Sequence, residues 1–172
     1  MPSDPLLVVG CGSSALIGEL VSDGYTAITA IDIAQRAIDQ LRANLGDRAP
    51  CVTMLRADTR TIRLSSAVRL WHDRATFHFL TDDADQAAYA TAPASSVRPG
   101  GHLVLAEFAA DGPTSCSGLP VARHSAASLQ SVFSKGFELI ESFERDHVTP
   151  WGGVQRFMHA LFIRRDLSPA VQ

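Results

Sequence analysis

The sequence predicts an α/β domain built on a mainly parallel sheet that closes with an antiparallel hairpin. Short apolar runs alternate with stretches of helical periodicity, the pattern of successive βαβ units. Glycines fall where a strand must turn or a helix must stop. The last two apolar runs are joined by Thr149-Pro150-Trp151-Gly152-Gly153, a turn, so those strands run antiparallel.

Leu6-Leu7-Val8-Val9 is a compact apolar run cut off by Gly10, as a buried parallel strand would be. From Ser14 to Asp23 the residues Leu16, Ile17, Leu20 and Val21 recur at helical spacing, and Gly24 follows as a stop. Thr26 to Ile31 is β-branched and gives a second strand. Ala34 to Leu45 sets Ala34, Ala37, Ile38, Leu41 and Leu45 on one helix face, ending at Gly46. Cys51 to Leu55 is the third strand and Ala67 to Trp71 the fourth. Asp83 to Ser96 is helical, ending before Pro99-Gly100-Gly101, and the alternating run His102 to Phe108 is the fifth strand. Ala110 to Pro120, with Gly112, Pro113, Gly118 and Pro120, is a loop. Ser125 caps a short helix to Phe133, and Phe137 to Glu144 and Arg156 to Ile163 form the closing pair.

The chain of 172 residues and 18.4 kDa has room for one domain, set at residues 1–165, with 166–172 a disordered tail. Hydrophobic residues at 46% and charged residues at 19% imply a buried core. The basic residues are 14 Arg and a single Lys, scattered along a chain of net charge −3, which disfavours a nucleic-acid partner. Cys11, Cys51 and Cys116 form no metal-ligand or disulfide pattern, so no metal is expected. No run is long enough for a membrane helix, and Met-Pro-Ser-Asp is no signal peptide. The expected location is the cytoplasm.

Three features at successive strand ends carry chemistry. Val9-Gly10-Cys11-Gly12-Ser13-Ser14 runs from strand through glycines into helix and brings backbone N–H groups close to a ligand at the carboxyl edge of the sheet. An ordinary tight turn would read the same way. Ala15 stands where a third glycine would complete G-x-G-x-x-G, which disfavours a nicotinamide dinucleotide and an oxidoreductase. Asp32 ends the second strand about 20 residues on, placed to accept from two ribose hydroxyls or to cap the next helix. Asp58, in Arg56-Ala57-Asp58-Thr59, is placed to accept from an adenine amine with Ile33 over the ring; the alternative is a solvated loop acid.

With these come Trp71-His72-Asp73-Arg74-Ala75 after the fourth strand and Arg98-Pro99-Gly100-Gly101-His102 before the fifth. In this order and with the closing hairpin, the chain resembles the class I S-adenosylmethionine-dependent methyltransferases. The Asp-Arg-Ala-Thr segment is similar to the loop of their thiopurine-methyltransferase-like and lysine-methyltransferase-like members. The resemblance implies a Rossmann-like three-layer sandwich with a seven-stranded sheet, order 3-2-1-4-5-7-6, strand seven antiparallel. It also implies S-adenosylmethionine as cofactor, held by Gly10, Cys11, Gly12, Asp32, Ile33, Asp58 and Thr59. Two positions depart from the family pattern: Val8 replaces an acid before the first glycine, and Arg69 stands near the start of strand four.

Methyl transfer needs an aligned acceptor lone pair, and a base only if the acceptor is protonated. Asp73 is placed to orient or deprotonate an acceptor, and the resemblance to the thiopurine branch implies that Arg74 clamps an acceptor carboxylate; alternatively both pair with loop backbone. His72 is a further candidate for cofactor or acceptor contact. His78 is expected half-buried, ordering its loop. His147 and Trp151 would wall the acceptor pocket, or Trp151 would cap the core. The acceptor is expected to be a small molecule or a protein side chain. A non-catalytic cofactor-binding or scaffold protein on the same fold is the competing reading. Strand one begins at Leu6, leaving no residues for an N-terminal lid, so an open acceptor face, or one closed by a second subunit or partner, is expected.

Overall fold

The computed structural model describes residues 1–12 and 14–166; the expected disordered tail lies, save for Asp166, outside the described residues. The chain begins with β1 (Leu6–Val9), α1 (Leu16–Ser22), β2 (Ile28–Asp32), α2 (Gln35–Leu45) and β3 (Val52–Arg56). It continues with β4 (Val68–Arg74), α3 (Asp83–Ser96), β5 (Val97–Phe108), β6 (Ser115–Cys116) and β7 (Leu119–Pro120). α4 (Ala126–Phe133), β8 (Phe137–Val148) and β9 (Val154–Arg164) complete it.

Seven strands form one sheet in the order β3-β2-β1-β4-β5-β9-β8. Strands β1 to β5 pair in parallel, and β9 runs antiparallel to both β5 and β8. This is the expected order, its last two strands renumbered because the small β6–β7 hairpin, read from sequence as pure loop, precedes them.

Side-chain alternation along each strand divides the apolar residues between the two faces of the sheet. Leu7 and Val9 pack with Trp71, Tyr89 and Phe133 beneath α3 and α4, whereas Leu6 and Val8 pack with Ile17, Ile38 and Leu41 beneath α1 and α2. Three layers follow directly. Among the described residues, no helix covers the α1–α2 face over β5, β9 and β8, where Val104, Leu161 and Ile163 stay partly exposed. β8 is the outermost strand, bonded to β9 alone among the described residues, and from Ile140 to Val148 it is exposed throughout.

Local chemistry sets the remaining details. Ser125 accepts from the Ser128 backbone N–H at 3.2 Å while Ser128 Oγ accepts from that of Ser125 at 2.9 Å, a reciprocal cap for α4. The Arg98-Pro99-Gly100-Gly101 segment is a register shift within the β4–β5 pairing, ahead of Leu70↔His102. A Cβ on Gly101 would lie 2.6 Å from Val97 Cγ1 and 2.9 Å from the Arg69 carbonyl oxygen, so only glycine fits. Arg69 donates to the Gly100 carbonyl oxygen and thus ties down this amino-terminal edge. β4 extends through Arg74, so His72 to Arg74 belong to the strand rather than to a following loop.

Candidate functional site

The carboxyl ends of β1, β2 and β3 border a cavity of about 600 Å³ that reaches Gly10, Asp32, Ile33, Asp58, Thr59 and Thr76. Gly10 and Gly12 adopt φ of 59° and 44°, the left-handed region that a side chain disfavours. A Cβ on Gly10 would sit 1.8 Å from Thr76 Oγ1, so the β1 turn lies directly against the β4 turn.

Asp32 performs two local tasks. Its Oδ2 accepts from the Gly12 N–H at 3.0 Å and its Oδ1 from the Ala34 N–H at 2.9 Å. The carboxylate therefore fixes the glycine turn and the entry to α2 together, and each oxygen keeps a lone pair for a ligand hydroxyl. The Cys11 N–H donates to the Ile31 carbonyl at 3.1 Å. This corrects the expectation that the turn's N–H groups face a ligand, because Cys11 and Gly12 spend theirs within the protein. Cys11 is fully buried away from the cavity, its thiol pushed up to about 11 by burial and by the nearby Asp32 charge. Ile33, 65% exposed, presents bare apolar surface at the cavity wall.

Asp58 is no simple solvated acid. Arg60 Nη2 donates to its Oδ2 at 2.6 Å and Arg60 Nη1 to Asp85 at 2.7 Å, linking the β3 end to α3. The guanidinium holds the Asp58 carboxyl below the usual carboxylate range.

The sequence-predicted acceptor residues separate in space. Asp73 is fully buried: Oδ1 accepts from the Thr76 N–H at 3.0 Å and Oδ2 from the Tyr89 hydroxyl, which accepts from Trp71 Nε1 at 3.0 Å. It borders neither the large cavity nor the one at Arg74, which corrects its assignment as a base and makes it an anchor for the β4 turn. Beneath it lies Glu107, also fully buried, accepting from the His78 N–H at 3.0 Å. His78 is itself fully buried rather than half-buried. His72 is largely buried, pushed down to about 4 by burial and then by Arg74, and borders neither cavity. Trp151 is 83% exposed and neither caps the core nor lines these cavities.

Arg74 and His147 do share a second cavity of about 280 Å³, with Arg145, Asp146, Phe157 and His159. Sequence reasoning missed Arg145 and His159. Their signal was available in the hairpin register, which sets Phe143 opposite His159 and Arg145 opposite Phe157. It also missed Thr76, whose role depends on a contact across the sheet.

The buried carboxyls imply a stability signature. Burial raises Asp73 to about 6, and burial with the Asp73 charge raises Glu107 well above its ordinary value, so the pair keeps a proton above the ordinary carboxylate range. Groups raised on folding stabilise below their ordinary range and lose that contribution as pH rises through their folded values. Buried His72, His78 and His124, each lowered to about 4 from 6.5 mainly by burial, act oppositely, losing stability as pH falls. Above pH 6.5, thermal midpoints of wild type are therefore expected to fall with pH more steeply than those of Glu107→Gln. Parallel curves would show that the pair carries no such proton.

A family model described as a methyltransferase domain matches residues 6–101. The eEF1A lysine and N-terminal methyltransferase of Mus musculus is 30% identical over 86 residues, 49% of this chain and 12% of that protein. That of Danio rerio is 31% identical over 87 residues, 50% of this chain and 13% of that protein. The chain thus matches about an eighth of the length of these curated relatives. Among solved structures, a Methanosarcina mazei S-adenosylmethionine-dependent methyltransferase shares the fold with TM-score 0.78 at 18% identity, over 96% of this chain and 94% of that one. The N-methyltransferase NodS of Bradyrhizobium japonicum, in complex with S-adenosylhomocysteine, does so with TM-score 0.75 at 17% identity, over 95% and 80%.

Proposed function

The chain belongs to the methyltransferase-domain family, and on that premise we propose that it transfers a methyl group from S-adenosylmethionine to an acceptor held beside the end of β4. The observation that carries the cofactor reading is Asp32: a carboxylate with free lone pairs at the mouth of a cavity of nucleoside dimensions. The cavity fits the cofactor in its other walls too. Gly10 leaves its edge clear, and Ile33 offers an apolar face for an adenine ring. When bound, S-adenosylmethionine supplies an electrophilic methyl on a sulfonium.

The protein's own residues position and orient. Asp32 takes the ribose hydroxyls, and Ile33, Asp58 and Thr59 border the base, Asp58 keeping its Arg60 partner. Gly10, Cys11 and Gly12 contribute backbone shape rather than donors. Asp73 holds the Thr76 N–H and so fixes the turn between the two cavities, while Arg74 faces the acceptor. Asp73, sealed from solvent, is out of reach as a base, and the acceptor's lone pair has to be aligned at attack distance.

The mouse and zebrafish relatives are named for a protein lysine and N-terminal acceptor. Here a small acceptor is the better reading, because two guanidiniums line the cavity beside β4. No helix among the described residues is long and apolar enough to cross a membrane. The free thiols at Cys11, Cys51 and Cys116 agree with a reducing cytoplasm, and residues 1–165 are read as one domain. Calorimetric titration with S-adenosylmethionine and S-adenosylhomocysteine is expected to give one site per chain. Folded protein that binds neither up to millimolar concentration would overturn the reading.

A further inference from the structure

We propose that the cavity formed by Arg74 and the β8–β9 hairpin is the acceptor site, and that it takes an anionic aromatic small molecule rather than a lysine side chain. This rests on the methyltransferase reading above.

Strand register builds the site. Arg74 lies opposite Ala106, Ala106 opposite His159, and His159 opposite Phe143, a row across four strands on one face. The neighbouring row brings Arg145 opposite Phe157 and Phe157 opposite Phe108. The first row ends in a stacked pair, Phe143 and His159, 4.8 Å apart at 7°. In the second, Phe157 packs edge-on against Phe108 at 4.9 Å. Arg74 lies over the Phe157 ring at 5.3 Å. The floor is aromatic and its upper groups are cationic.

That positive charge is in excess. Among the described residues neither Arg74 nor Arg145 makes an ion pair or a side-chain hydrogen bond. Asp146 is the one carboxylate lining the cavity, against two guanidiniums. His159 registers the excess. Burial, Arg74 and Arg145 all push it below its ordinary range; His72 and Arg74 on β4 and Phe143 and Arg145 on β8 face it, and Asp146 and His147 line the same cavity. An ammonium entering here would meet like charge from two guanidiniums. A carboxylate or phenolate would be met by two guanidinium forks over apolar ring surface.

The site also lies beside the cofactor cavity. In the turn Arg74-Ala75-Thr76, Arg74 borders one cavity and Thr76 the other, with Ala75 at φ 61° redirecting the chain between them. One turn thus serves both ligands.

The test uses the whole chain and 4-hydroxybenzoate, with 4-hydroxybenzyl alcohol as its neutral match and a lysine peptide as the cationic competitor. Calorimetry is expected to show the acid binding about tenfold more tightly than the alcohol. Proton NMR is expected to show the His159 titration midpoint rising when the acid binds. Arg74→Gln, and separately the exposed Arg145→Gln, should each remove most of that preference while S-adenosylhomocysteine affinity stays within about twofold. Equal binding of acid and alcohol, tighter binding of the lysine peptide, or an unmoved His159 would overturn the anion site. Failure of S-adenosylhomocysteine to bind is read separately: it overturns the methyltransferase reading and the acceptor role, whatever the acid does.

Discussion

Replacing Gly10 with alanine is expected to abolish S-adenosylhomocysteine binding and to lower the thermal midpoint by about 10 °C. Two costs add. A Cβ at φ 59° costs roughly 1–2 kcal/mol in the left-handed region. The same Cβ would lie 1.8 Å from Thr76 Oγ1, and that crowding adds about 1–3 kcal/mol. Thr76 cannot step aside freely, because its N–H is held by buried Asp73 at 3.0 Å. Movement at Gly10 instead disturbs the Asp32–Gly12 bond and the cavity edge. Scanning calorimetry measures the first effect and titration the second. Gly10→Ala with Thr76→Ala should regain part of the stability, since removing Oγ1 leaves the next contact at 3.0 Å. An unchanged midpoint in the single variant would contradict the packing argument.

Asp32→Ala is expected to weaken S-adenosylhomocysteine binding by about a hundredfold, near 3 kcal/mol for lost charge-assisted hydrogen bonds to ribose. The truncation also orphans the Gly12 and Ala34 N–H groups, so the turn loosens as its ligand contacts vanish. Asp32→Asn separates the two effects: it keeps the shape and one acceptor oxygen, and should fall between wild type and alanine. Titration calorimetry, with circular dichroism to verify folding, makes the comparison. A folded alanine variant within about threefold of wild type would remove Asp32 from the cofactor site.

The elements that sequence made legible are those set by local rules. Leu6 to Val9 reads as a buried strand because its apolar run is short and glycine-stopped, and Ser125 reads as a cap because capping is a local contact. The hairpin is legible because a short turn permits one geometry. What escaped depends on partners distant in sequence. His72 to Arg74 look like loop residues until Tyr89, 16 residues beyond Asp73, is seen to satisfy the buried carboxylate. Asp58 reads as solvated until Arg60 is seen to bridge it to Asp85 on α3. Arg145 and His159 look ordinary separately; cross-strand register makes them neighbours. The glycine turn was visible, but which N–H groups it keeps for itself was not, since that depends on where Asp32 and Ile31 arrive in space.

The outermost strand β8 carries one more consequence. Its outer edge, unpaired among the described residues along a twelve-residue strand, would ordinarily invite a second copy to extend the sheet, edge against edge. Glu138, Glu141, Glu144 and Asp146 stand along it with Arg145; Glu144 pairs with Arg156 and Glu138 with Arg165, leaving Glu141 and Asp146 to carry the negative charge. Two such strands brought together would oppose carboxylate to carboxylate at neutral pH, so the charge written into β8 acts as a guard against runaway self-assembly.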